Sequence, residues 1–288
     1  MKAADVSLIA AVALLATFVA TQATVQGEAL GAAPVLADAA AQEGRIAGER
    51  TLDATRADDP SVAGDDAAND DLTGALRTGA TEQRVTAFVS SVPREAALPA
   101  REMQRRLQQG ASGTYIEALL AMRDSTLARW PDRLVAPLRV WIGDGSEHDD
   151  WDSTFPAAVR EAFETWSATG IPVRFTFVRD SSDADVRVRF VPTFAEGISG
   201  RTIWSRDRDS WLVAGDIHLS LQHPRGDAIS RPQLHAIALH EVGHLLGLDH
   251  VDDPVHIMAP RVRARTLSDG DIATVRLLYS VPAGSVRP

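Results

Sequence analysis

The segment His240-Glu-Val-Gly-His-Leu-Leu-Gly-Leu-Asp-His250 constrains this chain more than any other part of it. Upstream, Ser230 and Gln233 have the spacing of a capping box and Pro232 stands in the first turn, so a helix is expected from Arg231 to about Leu246. At roughly 100° per residue, His240 and His244 then lie one turn apart and about 40° from each other, with Glu241 slightly to one side. A straight helix cannot bring a third histidine to the same point. Gly247 supplies the bend, because glycine tolerates the positive φ that ends a helix and turns the chain back, and His250 follows three residues later.

Those residue types in that order suit a divalent ion. Zinc accepts about four ligands at roughly 2.0 to 2.1 Å from nitrogen, and a catalytic site reserves one position for water. Three neutral imidazoles leave the ion its full double charge, which lowers the pKa of water there toward about 7. Glu241 needs no bond to the metal and is the group that takes the proton. His-Glu-x-x-His alone also occurs in unrelated helices as ordinary polar surface; here Gly247, His250 and Met258 extend the match. The expected site is one Zn2+ held by His240, His244 and His250, with Glu241 catalytic and Gly247 and Met258 in support.

On these residues the chain resembles the metzincin zinc peptidases, and within them the matrixin-like branch. The likeness runs from about Pro137 to Val281. It includes Ile257-Met-Ala-Pro260 as a Met-turn, Leu267 to Tyr279 as a C-terminal helix, and Pro137 to Ile142 and Gly215 to His218 as strands. The resemblance implies an α+β, zincin-like catalytic domain: a twisted mixed sheet with two long helices, a cleft beneath an edge strand, and a small C-terminal subdomain carrying His250 and Met258. In the family the methionine forms a hydrophobic floor under the metal and is not a ligand. The implied activity is endopeptidase cleavage of a protein or peptide, with the extended substrate pairing against an edge near Gly200 to Ser205. Three departures stand out. No cysteine is present for the family's cysteine switch, His218 stands alone where a structural zinc cluster is usual, and Val262 replaces a tyrosine often found beyond the Met-turn. No calcium site is assigned.

Composition narrows the alternatives. With no cysteine, and Lys2 as the one lysine, thiol nucleophiles, iron-sulfur clusters, Schiff-base lysines and P-loops drop out. The formal charge of -10 is concentrated between Glu28 and Asp71, where eleven acidic residues face three arginines. The remainder is nearly neutral and has no basic stripe, so nucleic acid is not an expected partner.

The organisation reads in four parts. Residues 1–25 hold Lys2 and an uncharged apolar run from Val6 to Ala20, which reads as a signal peptide or a membrane anchor. Residues 26–93 form an acidic low-complexity linker. Residues 94–136 carry apolar positions at helical spacing, from Met103 to Leu127, around Gly110 and Gly113: a helical lead-in or a pro-segment. Residues 137–283 are the catalytic domain, with alternating strands at Leu138 to Ile142, Val173 to Phe177 and Val186 to Phe190, and a helix capped by Ser153 or Thr154. A secreted or extracytoplasmic monomer is expected, touching membrane only if the first segment stays as an anchor. The alternative reading is a catalytically inactive, zinc-stabilised binding module, tethered or free. Among the other histidines, His235 is expected to point away from the site. His218 and His223 are read as hydrogen-bonded rather than metal-bound, and His256 as a loop residue. Trp204 and Trp211 are expected to pack.

Overall fold

The computed structural model describes residues 78–84 and 92–287. The expected export segment and most of the acidic stretch lie outside the described residues. The architecture is α+β, with a six-stranded mixed sheet among the described residues. Its strands are β1 (Thr78–Arg84), β3 (Arg133–Ile142), β4 (Val173–Val178), β5 (Val186–Val191), β6 (Gly200–Arg206) and β7 (Leu212–Ser220), in the order β1-β6-β7-β5-β3-β4. All neighbours run parallel except β6 and β7.

Alternation of side chains builds this sheet. Leu138 and Val140 on β3, and Val186, Val188 and Phe190 on β5, are buried on one face, while Arg139 and Arg189 between them are exposed. Two helices pack against each other and the sheet: α3 (Phe155–Ser167) and α4 (Arg231–Leu245). On α3 the apolar stripe Val159, Phe163 and Trp166 is fully buried, and Phe163 meets Phe175 of β4 edge-on at 4.8 Å. Nearly every residue of α4 is buried, so it is a central helix without a solvent face. Its start is the expected capping box, in which the Ser230 N–H donates to Gln233 Oε1 at 2.8 Å. The start of α3 differs from expectation: Thr154 is the cap residue, yet its hydroxyl donates to Asp152 Oδ1 at 2.7 Å rather than receiving a helix N–H.

Before the sheet come α1 (Ala100–Gly110) and α2 (Ile116–Met122), separated by a turn at Gly113, as their apolar spacing predicts. They are built into the main core, not laid upon it. Met103, Leu107, Tyr115, Ile116 and Leu119 are buried, each such side chain contributing on the order of 1.5–3 kcal/mol. After α4 an irregular loop leads to α5 (Asp269–Leu278), and β8 (Gly284–Ser285) returns to pair with β2 (Thr126–Leu127). The Tyr115 hydroxyl donates to Asp271 Oδ1 at 2.9 Å, joining the lead-in to α5.

One strand was not expected. β1 falls inside the stretch read as a linker, and it runs along the whole outer edge of β6, from Thr78 beside Gly200 to Arg84 beside Arg206. No helix among the described residues is long and apolar enough to cross a membrane.

Candidate metal centre

The end of α4 sets the site. Gly247 has φ +99°, its N–H donates to His244 O at 3.0 Å, and the Leu248 N–H donates to Gly243 O at 3.0 Å. This is the Schellman closure that a left-handed glycine makes possible. The loop beyond it carries His250 back, and the three imidazoles converge. Nε2 of His240 lies 2.9 Å from Nε2 of His244 and 3.3 Å from Nε2 of His250, and the last two are 3.2 Å apart. No other cluster of three histidine or acidic ligands occurs among the described residues.

The opposite ring nitrogens explain why His240 and His244 face inward. Nδ1–H of His240 donates to Ile257 O at 2.6 Å, and Nδ1–H of His244 donates to Leu248 O at 3.1 Å. A proton fixed on Nδ1 leaves the Nε2 lone pair available, so these two rings are held in the ligand tautomer. Burial adds to this. It pushes His244 down to about 3 and His240 well below its ordinary value, each helped by a neighbouring imidazole, and it lowers His250 as well. Three neutral nitrogens with their lone pairs crowded together repel one another unless a cation lies among them. Their spacing is also close to the edge of a tetrahedron with arms of roughly 2.0 to 2.1 Å, the geometry of zinc. The donor set fits Zn2+.

Met258 is fully buried and lies against Gly243, where a side chain would meet its sulfur at 2.3 Å. The Met-turn is tied to both ligand-bearing segments, through Ile257 O to His240 and through Met258 O, which accepts from the Val251 N–H at 3.1 Å.

Glu241 is completely buried. Burial pushes its carboxyl up to about 8, against the opposing pull of a hydrogen bond from Thr202 and the charge of Arg201. Oε2 accepts that bond from the Thr202 hydroxyl at 2.6 Å, whereas Oε1 has no hydrogen-bond partner. A cation among the imidazoles would act on the carboxyl in the opposite direction to burial.

Residues that the motif did not reveal also shape the site. Gly200 of β6 sits so close to Glu241 that a Cβ there would lie 2.4 Å from Oε1. Arg123, with little exposure, donates to Asp249 Oδ2 at 2.9 Å and to Leu248 O at 3.1 Å, bracing the loop that presents His250. The indole of Trp130 donates to Leu245 O at 2.8 Å and so satisfies a terminal carbonyl of α4. A cavity of about 440 Å³, bordered by Arg123, Trp204, Arg206 and Asp249, adjoins this loop.

The remaining histidines lie elsewhere. His235 is half-buried on α4 outside the cluster, and His218 sits on β7 beside the Arg189–Asp216 pair. His256 is less a loop residue than a packing one: its Nδ1 is 2.7 Å from Ser268 Oγ and its ring tilts against Tyr115 at 5.1 Å. Trp204 and Trp211 are buried, as packing residues are.

Residues 145–280 match the matrixin family. The chain is 28% identical over 151 residues to metalloendoproteinase 1 of Glycine max, which covers 45% of this chain and 47% of that protein. It is 31% identical over 141 residues to metalloendoproteinase 1-MMP of Arabidopsis thaliana, covering 42% of this chain and 36% of that one. With the neutrophil collagenase of Homo sapiens it shares 26% over 142 residues, 46% of this chain and 30% of the other. The chain thus spans about half the length of the first of these relatives and less of the others.

Proposed function

We propose that this chain, whose residues 145–280 match the matrixin family, is a zinc-dependent endopeptidase acting on extracytoplasmic proteins. The observation that carries this reading is the buried carboxyl of Glu241, with one oxygen lacking any partner, one residue from a convergent histidine trio. His240, His244 and His250 are assigned as the metal ligands through Nε2. When bound there, zinc supplies a Lewis acid that draws electrons from a peptide carbonyl and from water.

The chain's own residues do the rest. Glu241 Oε1 takes a proton from water as the water oxygen adds to the carbonyl carbon, and the carboxyl then gives that proton to the amide nitrogen as the C–N bond breaks. One water is consumed, and one carboxylate and one amine result. The outer edge of β6, running past Gly200 and Thr202, is where an extended substrate would pair, and β1 lies along it.

An inactive binding module accounts for less. Burying an unpaired carboxyl oxygen costs stability, and a module that only needs zinc for its fold gains nothing in return. The test is Glu241→Gln. It is expected to bind one zinc per chain and to lose nearly all cleavage of an unfolded protein; a mutant that cleaves as the wild type does would remove Glu241 from its role. The apolar run from Val6 to Ala20 supports the extracytoplasmic setting, and mass analysis of the mature N-terminus would test it.

A further inference from the structure

Resting on the assignment of Glu241 as the base, we infer that Thr202 is a positioning residue that divides the labour between the two carboxyl oxygens. Thr202 lies on β6, fully buried, and its hydroxyl points at α4. That hydroxyl is within hydrogen-bond distance of two acceptors, Glu241 Oε2 at 2.6 Å and the Glu241 main-chain carbonyl at 2.9 Å. The shorter contact is to the carboxyl. A hydroxyl has one proton to give, and giving it to Oε2 occupies that oxygen, so a proton taken from water goes to Oε1, the oxygen without a partner.

This arrangement works in both protonation states. The carboxylate accepts from Thr202 at Oε2, and the acid protonated on Oε1 still accepts there, so no group must be re-paired during the cycle. The second acceptor gives the hydroxyl a partner if the carboxyl swings away. A glutamate side chain has a broad final torsion, and in a fully buried site nothing else among the described residues hydrogen-bonds this carboxyl. Thr202 therefore selects which way it faces. Its side-chain hydrogen bonds go to Glu241 and not to the ring nitrogens of the three histidines, so removing the hydroxyl is expected to leave the metal in place.

The experiment compares Thr202→Val, Thr202→Ser and Thr202→Ala in the full chain. The probe is cleavage of an unfolded protein and of a short internally quenched peptide, with bound zinc measured on the same samples. Thr202→Val keeps the shape and loses the hydroxyl; kcat is expected to fall about 10- to 100-fold with KM and zinc content unchanged. Thr202→Ser keeps the hydroxyl and is expected to stay within about threefold of wild type. If Thr202→Val binds no zinc, Thr202→Ala takes its place in the same comparison. Wild-type kcat in the hydroxyl-free variant, or a serine variant as slow as it, overturns the inference.

A second readout separates this inference from the peptidase assignment. In zinc-free protein, the infrared carboxyl bands that vanish in Glu241→Gln are expected to shift in Thr202→Val and not in Thr202→Ser. A wild type that cleaves nothing while those bands shift would defeat the peptidase reading and leave the Thr202 to Glu241 bond standing. Bands that do not shift would defeat the bond itself.

Discussion

Gly200 and Glu241 are in contact across the sheet-to-helix interface, at a distance where a single methyl group on Gly200 would stand 2.4 Å from the free carboxyl oxygen and 2.8 Å from Ile237 Cγ2. Glycine at the start of β6 is thus a requirement of the site and not of strand geometry.

Gly200→Ala is the direct consequence. The methyl must displace the Glu241 carboxyl, and none of the three atoms nearest to it belongs to a histidine. Peptide cleavage is expected to fall at least about 10-fold with zinc still bound at one per chain, read by metal analysis beside the kinetics. Unchanged cleavage would mean the carboxyl is not where its chemistry happens.

Gly247→Ala tests the bend that delivers His250. The residue has φ +99°, and a Cβ there would lie 2.1 Å from the main-chain oxygen of Ala128, which has nowhere flexible to go. The expected loss is more than about 2 kcal/mol in zinc-free protein, measured by urea unfolding, with weakened zinc binding in addition.

The buried carboxyl has a pH signature in the zinc-free protein. An unfolded glutamate titrates near 4.5, whereas burial raises folded Glu241 to about 8. Between those values the folded state holds the extra proton, so this group's contribution to stability falls as pH rises from 4.5 and levels off above about 8. Glu241→Gln removes the group and should be the more stable protein at pH 8, by a few kcal/mol at most, with the difference closing below pH 4.5. The three lowered histidines act in the opposite sense, favouring the folded state less as pH falls below 6.5, but they are common to both proteins. Melting curves across pH check the difference, and a constant gap would contradict it.

If the chain is the peptidase proposed, β1 restrains its activity. It fills the outer edge of β6 over seven residue pairs, and an edge accepts one partner strand at a time. Replacing Ala80 and Thr81 together by proline removes whichever of the two N–H groups points at β6, since adjacent N–H groups of a strand point to opposite edges. Turnover of a short peptide is expected to rise several-fold with zinc content unchanged; no rise would mean that substrates do not use this edge.

Much of the site was legible because its signals are local. Ser230, Pro232 and Gln233 mark where α4 begins, Gly247 marks where it stops, and the helical period sets His240 and His244 side by side. The alternation at Val186, Val188 and Phe190 is likewise written into a short stretch. What could not be read depends on distant partners. Thr202 meets Glu241 across 39 residues of chain, and Arg123 meets Asp249 across 126. β1 has no apolar alternation in Thr-Gly-Ala-Thr-Glu-Gln-Arg and is a strand only through its neighbour. Thr154 looked like a helix cap, yet Asp152 two residues earlier takes its hydroxyl instead.

The most direct test is cleavage of an unfolded protein by residues 26–288, with and without a chelator, followed by return of zinc. Fragments that disappear when the metal is stripped and reappear when Zn2+ is restored are what the three converging imidazoles predict. Fragments that persist in the metal-free protein, or none under any metal, would contradict it.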